Sequence, residues 1–85
     1  MSVQVLIQSI LQLNQELNQQ VQVMTALTQS VNQLKTEIHT NFSSTNVSQR
    51  LLAPLEATKQ SLETAIPSTQ KAKQTLEQLT ATLRG

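Results

Sequence analysis

The chain has 85 residues, a formal net charge of +1 and only 13% charged residues, and it contains no cysteine. The charge excludes the basic patch typical of nucleic-acid binders, and the missing cysteine excludes disulfides and thiolate chemistry. A single domain this short buries only about 60% of its unfolded surface, so a core of its own is marginal.

The first predicted element is a long helix over about residues 2–41, because neither Gly nor Pro occurs there. Its apolar residues recur every seven positions in two rows, which is the heptad pattern of amphipathic helices that pack against other helices. A seven-residue repeat predicts a left-handed supercoil. The first row is Val3, Ile10, Leu17, Met24, Val31 and Ile38, and the second row is Leu6, Leu13, Leu27 and Leu34.

Gln20 occupies a position in the second row and has two interpretations. A buried amide would fix the register or the number of helices, since it must find a hydrogen-bonding partner. Alternatively, the long side chain bends out to solvent, and Val21 and Val23 take over the contact.

The hairpin loop is predicted at about residues 42–46, where small polar side chains that favour turns are concentrated. Asn46 followed by Gln49 resembles a capping box that begins a second helix near residue 47. His39, the one histidine, lies near the predicted end of the first helix and is interpreted as a capping or solvent-exposed residue rather than a ligand.

A second helix is predicted over about residues 47–84, with its own apolar face and small residues at the middle of that face. In an antiparallel hairpin those small residues would receive larger side chains from the first helix. Pro67 lies inside this helix and is expected to kink it without ending it. The predicted face is Leu51, Leu55, Thr58, Leu62, Ala65, Thr69, Ala72, Leu76, Leu79 and Leu83.

The predicted fold is therefore all-α, one antiparallel hairpin domain over residues 1–85. Its helix–helix interface is expected to use the two apolar rows of the first helix and Leu51, Leu55, Leu62, Ala65, Ala72, Leu76, Leu79 and Leu83 of the second. Further apolar residues lie off these rows, which favours a dimer of hairpins, a bundle or a coiled coil, or a helical partner protein. These residues are Val5, Ile7, Leu11, Val21, Val23, Leu52 and Ile66.

No catalytic, cofactor-binding or metal site is predicted, and the chain is not expected to be an enzyme. The five glutamates are dispersed, with no two of them four residues apart, and the only glycine is Gly85, so no phosphate loop is present. We expect no cofactor, no small-molecule substrate and no nucleic-acid partner. Polar residues interrupt the apolar start of the chain, so we expect neither a signal peptide nor membrane contact, and a cytoplasmic location. Secretion without a signal, or incorporation into a particle, stays open.

In outline the chain resembles the small secreted helical hairpins of the WXG type, which dimerise, although Asn-Phe-Ser-Ser-Thr-Asn at residues 41–46 replaces their Trp-x-Gly turn. The outline also resembles needle subunits of injection systems. Neither resemblance transfers a functional residue. The favoured hypothesis is a non-catalytic structural or assembly subunit of Gln-rich composition. The alternatives are a regulatory adaptor or chaperone-like protein that binds a partner helix, and a signal-less secreted hairpin.

Overall fold

Two long helices make up a computed structural model that describes residues 2–42 and 46–85. Helix α1 spans Val3–Phe42 and helix α2 spans Asn46–Arg84, and they pack side by side in a rod of 63 × 16 × 15 Å. The predicted all-α hairpin is confirmed. Phe42 and Asn46, assigned to the loop from the sequence, belong to the helices. The rest of the predicted loop, residues 43–45, lies outside the described residues.

Contacts at both ends of the rod show that the helices are antiparallel. Near the loop, Lys35 Nζ of α1 donates a hydrogen bond of 2.5 Å to Glu56 Oε2 of α2. At the opposite end, Leu11 of α1 and Arg84 of α2 line one shallow depression. Residues early in α1 therefore lie level with residues late in α2.

Threonine and serine are frequent in both helices although they are weak helix formers. Their hydroxyls donate to the carbonyl one turn earlier, as Thr28 Oγ1 does to Met24 O at 2.9 Å and Thr69 Oγ1 to Ala65 O at 2.9 Å. This local hydrogen bond satisfies a part-buried hydroxyl without leaving the helix. The polar composition is in this way compatible with two long helices.

Helix α2 is continuous through Pro54 and Pro67. Proline has no backbone N–H, so it cannot donate the helical hydrogen bond to the carbonyl four residues earlier. The carbonyls of Arg50 and Glu63 therefore lack their helical donors. Both prolines and both of these residues are exposed, so water can bind the freed carbonyls. The expected kink at Pro67 stays a prediction.

The contact between the helices, here called the seam, is thin. Among the described apolar residues only Ile10 and Ile38 are buried, each with 7% of its surface exposed. The other seam residues are half-buried or polar, in two rows per helix. On α1 the first row contains Leu17, Met24 and Val31, and the second row contains Ile7, Asn14, Val21, Thr28 and Lys35. On α2 the first row contains Ser48, Leu55, Leu62, Thr69, Leu76 and Leu83, and the second row contains Leu52, Lys59, Ile66, Lys73 and Thr80.

For each helix, only one of the two apolar rows predicted for the interface lies in the seam. The first α1 row lies in it from Ile10 onward, whereas the second row is exposed, and Val3 is exposed at the end of the hairpin. The strip of α1 that α2 covers is rotated about the α1 axis by about 50° from the centre of the predicted apolar stripe, given 3.6 residues per turn. The predicted residues found exposed in the hairpin are Val3, Leu6, Leu13, Leu27, Leu34, Leu51, Thr58, Ala72 and Leu79.

Gln20 follows the second of its two interpretations within the hairpin. Its side chain is exposed, and Val21 is half-buried in the seam in its place. Val23, the other residue considered for that contact, is 58% exposed. Val5 and Leu11 are exposed as well, whereas Ile7, Leu52 and Ile66 join the seam.

Asn14 is a polar residue in a seam row, and its Oδ1 atom is buried without a hydrogen-bond partner among the described residues. A buried carbonyl oxygen without a donor costs about 1–3 kcal/mol. We therefore expect Asn14→Leu to raise the free energy of unfolding by about 1–2 kcal/mol, measured by urea denaturation. The control is Asn18→Leu in an exposed row, expected to change it by less than about 0.5 kcal/mol. A lower stability for Asn14→Leu would contradict this.

Candidate helix–helix interface

The exposed leucines of both helices, with the exception of Leu11, lie on the same side of the hairpin. Near the loop, Leu34 of α1 and Leu51 of α2 line one shallow apolar depression together with the seam residues Ile38 and Leu55. Because each exposed row repeats every seven residues along its helix, the two rows stay on this side. We call the resulting surface the leucine face; its residues are Leu6, Leu13, Leu27, Leu34, Leu51, Ala65, Ala72 and Leu79, with Gln20 and Thr58 in the same rows.

The leucine face carries no charge. Neither of its rows contains an acidic or basic residue, and the row next to it on α2, which runs from Val47 to Thr82, contains none. Charged residues do lie at the margin of the face: Glu16 and Glu37 in the adjacent row of α1, and Arg50 of α2, which lines the depression near the loop. An uncharged strip of leucines that runs the length of a hairpin is the kind of surface that marks an interaction site.

The charged side chains are concentrated on the opposite side. Lys35 and Lys59 sit in seam rows, and their amines reach that side, where Lys35 Nζ contacts Glu56 Oε2 and Lys59 Nζ lies 3.9 Å from Glu63 Oε1. Long lysine stems can cover apolar surface while their amines stay in water. The hairpin is thus two-sided, with one face for water and one without charge.

The ion pair between Lys35 and Glu56 on the charged side lowers the pKa of the Glu56 carboxyl. The hydrogen bond from Lys35, and then its positive charge, hold the pKa of Glu56 below its usual value, against a smaller opposing effect of desolvation. The Glu56 carboxyl keeps its charge to lower pH in the folded chain than in the unfolded chain. Its charged form therefore stabilises the hairpin at neutral pH, and this stabilisation is lost as the pH falls through the pKa of the folded state.

We accordingly expect Glu56→Gln to flatten the acid dependence of stability. The free energy of unfolding of the parent protein should fall between about pH 7 and about pH 3, and the variant should show a shallower fall. Urea denaturation at the two pH values measures it. Glu16→Gln is the control, since Glu16 has no ion pair within the described ranges. Identical pH profiles for Glu56→Gln and the parent would contradict this.

The exposed area of the hairpin is large for its mass. It exposes 6280 Å². A compact monomeric protein of 9.4 kDa exposes roughly 5,000 Å², so the hairpin exposes about 1,300 Å² more. The radius of gyration of 19.1 Å agrees, against about 12 Å for a compact 85-residue domain. A surplus of this size exceeds the roughly 800 Å² that each partner contributes to a standard protein interface.

The residues considered for other chemistry are dispersed in the structure. His39 is exposed near the end of α1. Within residues 2–42 and 46–85, no three His, Cys, Asp or Glu side chains form a group that could hold a metal ion. Over the same residues, neither helix is long and apolar enough to cross a bilayer.

Two features of the site were missed from the sequence. The pairing of Lys35 with Glu56 was not predicted, because the predicted register of the two helices was only approximate. The leucine face was expected inside the seam, although the lysines of the seam rows could have revealed the offset, since they mark the edge that faces water. Comparison with known proteins adds nothing further, as no family model, curated protein or solved structure matches the chain.

Proposed function

We propose that this protein is a non-catalytic assembly subunit that acts by packing its leucine face against helices of another chain. The observation that supports the proposal is the leucine face itself, whose two rows contain no charged residue. Its leucines, such as Leu13 and Leu27, are nearly half exposed in the hairpin. Covering apolar surface of this kind is worth about 25 cal/mol per Å², so a partner that covers the face stabilises the fold substantially.

The thin seam supports the same function. With two buried apolar side chains among the described residues, the hairpin has little core of its own. Domains of this size usually need an additional source of stability, and oligomerisation is a source that does not require cysteine, which this chain lacks. Folding and association are then coupled, as in obligate oligomers.

Thermal melting of the purified protein at several concentrations tests the proposal. A self-associating subunit melts cooperatively without any other protein, and its Tm rises with concentration because association stabilises only the folded state. Circular dichroism at 222 nm, over about a hundredfold range of concentration, is the measurement. A chain that is largely unfolded alone and melts cooperatively only after a second protein is added would instead be an adaptor. A concentration-independent Tm would contradict the proposal.

A further inference from the structure

We propose that the leucine face is covered by a second copy of this chain, related by a two-fold axis that crosses the hairpin at Gln20. In this dimer α1 packs antiparallel against α1 of the second copy, and the two loops lie at opposite ends of a four-helix bundle. The inference rests on the proposed function and specifies its partner and geometry.

The α1 row of the leucine face reads the same in both directions. It runs Leu6, Leu13, Gln20, Leu27, Leu34, with seven residues between neighbours. A two-fold axis at its centre sets Leu6 against Leu34 of the second copy and Leu13 against Leu27, so leucine meets leucine at every level except the centre. There Gln20 meets Gln20.

The amide of Gln20 distinguishes this arrangement from the other two-fold dimer. If the loops lay at the same end, α1 would face α2 of the second copy. Counting fifteen residues from the Lys35–Glu56 contact along each helix puts Gln20 level with Lys71, and the nearest residue of the leucine face on α2 is the adjacent Ala72. The covered amide would then face a methyl group and lose its hydrogen bonds, which costs about 1–3 kcal/mol. Two facing Gln20 amides can each donate to the other, because each carries a donor and an acceptor.

The α2 side of the face fits the same axis. Since Ala72 lies within one residue, about 1.5 Å along the rod, of the level of Gln20, the axis also passes close to Ala72, and this small residue faces its own copy. One heptad away, Leu79 lies opposite Ala65 of the second copy. This pair sets a large side chain against a small one, which lets the two hairpins approach closely there.

Area and charge favour a second copy as the occupant. If each hairpin buried an area equal to its surplus of about 1,300 Å², two copies would bury about 2,600 Å² in total, within the range of obligate homodimers. The uncharged face meets an identical uncharged face, so no like charges are buried. Glu16 of the two copies would lie about 12 Å apart along the rod, on either side of the axis.

Cysteine cross-linking tests the geometry, because the full chain has no cysteine of its own. Under mild oxidation Gln20→Cys should form a disulfide-linked dimer, at least about ten times more than Gln33→Cys in an exposed outer row. Leu27→Cys alone should not cross-link, since its own copy lies about 21 Å away along the rod. Mixed with Leu13→Cys, it should form a cross-linked pair. Helicity and mass before oxidation are recorded for each variant.

Each other result overturns the proposal in a distinguishable way. If Leu27→Cys cross-links to Ala65→Cys while Gln20→Cys does not, the loops lie at the same end. If the protein is dimeric and neither Gln20→Cys nor the mixed pair cross-links, this axis is wrong and the proposed function stands. If the unoxidised protein is a folded monomer at every concentration, the proposed function falls together with the axis.

Discussion

Leu27→Glu is expected to weaken self-association at least about a hundredfold, which corresponds to about 2.8 kcal/mol. Leu27 is 48% exposed in the hairpin and lies near the middle of the leucine face. In a symmetric dimer the change enters the interface twice, and a buried carboxylate without a partner costs several kcal/mol. Glutamate forms helices about as well as leucine, so the effect does not come from the helix itself. Sedimentation velocity over a concentration series measures the dissociation constant.

Gln33→Glu is the matched control for this prediction. It introduces the same charge on the same helix, in an exposed row away from the leucine face. We expect it to leave both the dissociation constant and the Tm close to those of the parent protein. A Leu27→Glu variant that associates as tightly as Gln33→Glu would show that water, rather than another helix, covers this leucine.

Ile10→Ala is expected to lower the free energy of unfolding by about 2–4 kcal/mol. Ile10 is one of the two buried apolar side chains of the described seam, with 7% of its surface exposed. Its truncation removes buried apolar surface and leaves a cavity that two long helices can close only in part. Because small domains have only about 5–15 kcal/mol in total, a loss of this size shifts the urea midpoint strongly.

The adjacent residue Leu11 is the control for Ile10. Leu11 is 45% exposed and lies on the side away from the leucine face. Leu11→Ala should therefore cost less than about 1 kcal/mol, since surface substitutions have small effects. Both variants are measured by urea denaturation at one fixed protein concentration. Equal losses at residues 10 and 11 would contradict the seam that the structure shows.

The fold was predictable because the strongest signals are periodic and local. A run of forty residues without Gly or Pro indicated α1, and the seven-residue spacing of Ile10, Leu17 and Met24 identified a row that lies in the seam. The polar loop indicated the reversal of the chain. Continuity of α2 through Pro67 was also expected, because the apolar spacing on either side of the proline stays in register.

The seam's second row was not predictable in the same way. The apolar stripe of α1 is three rows wide, and a single neighbouring helix covers two of them. From hydrophobicity alone the row of Leu13 and Leu27 ranks above the row that contains Asn14, Thr28 and Lys35. The structure uses the mixed row, in which the lysine amine reaches Glu56. That choice depends on where the second helix places its charges, which the pattern of one helix does not contain.

This offset is the basis of the proposal that the hairpin packs against another chain. Had both leucine rows been buried in the seam, the hairpin would expose less apolar surface. With one row turned outward, the hairpin keeps a thin seam and leaves leucines such as Leu13 and Leu27 exposed, where we propose that another chain covers them. In the proposed assembly, the same leucines contribute to both stability and association.

The mass of the protein in solution, from sedimentation equilibrium at micromolar concentration, tests most directly whether another helix covers the leucine face. We predict twice the chain mass of 9.4 kDa, with the dimer giving way to an increasingly unfolded monomer on dilution. A stable, fully helical monomer across the whole concentration range would contradict it.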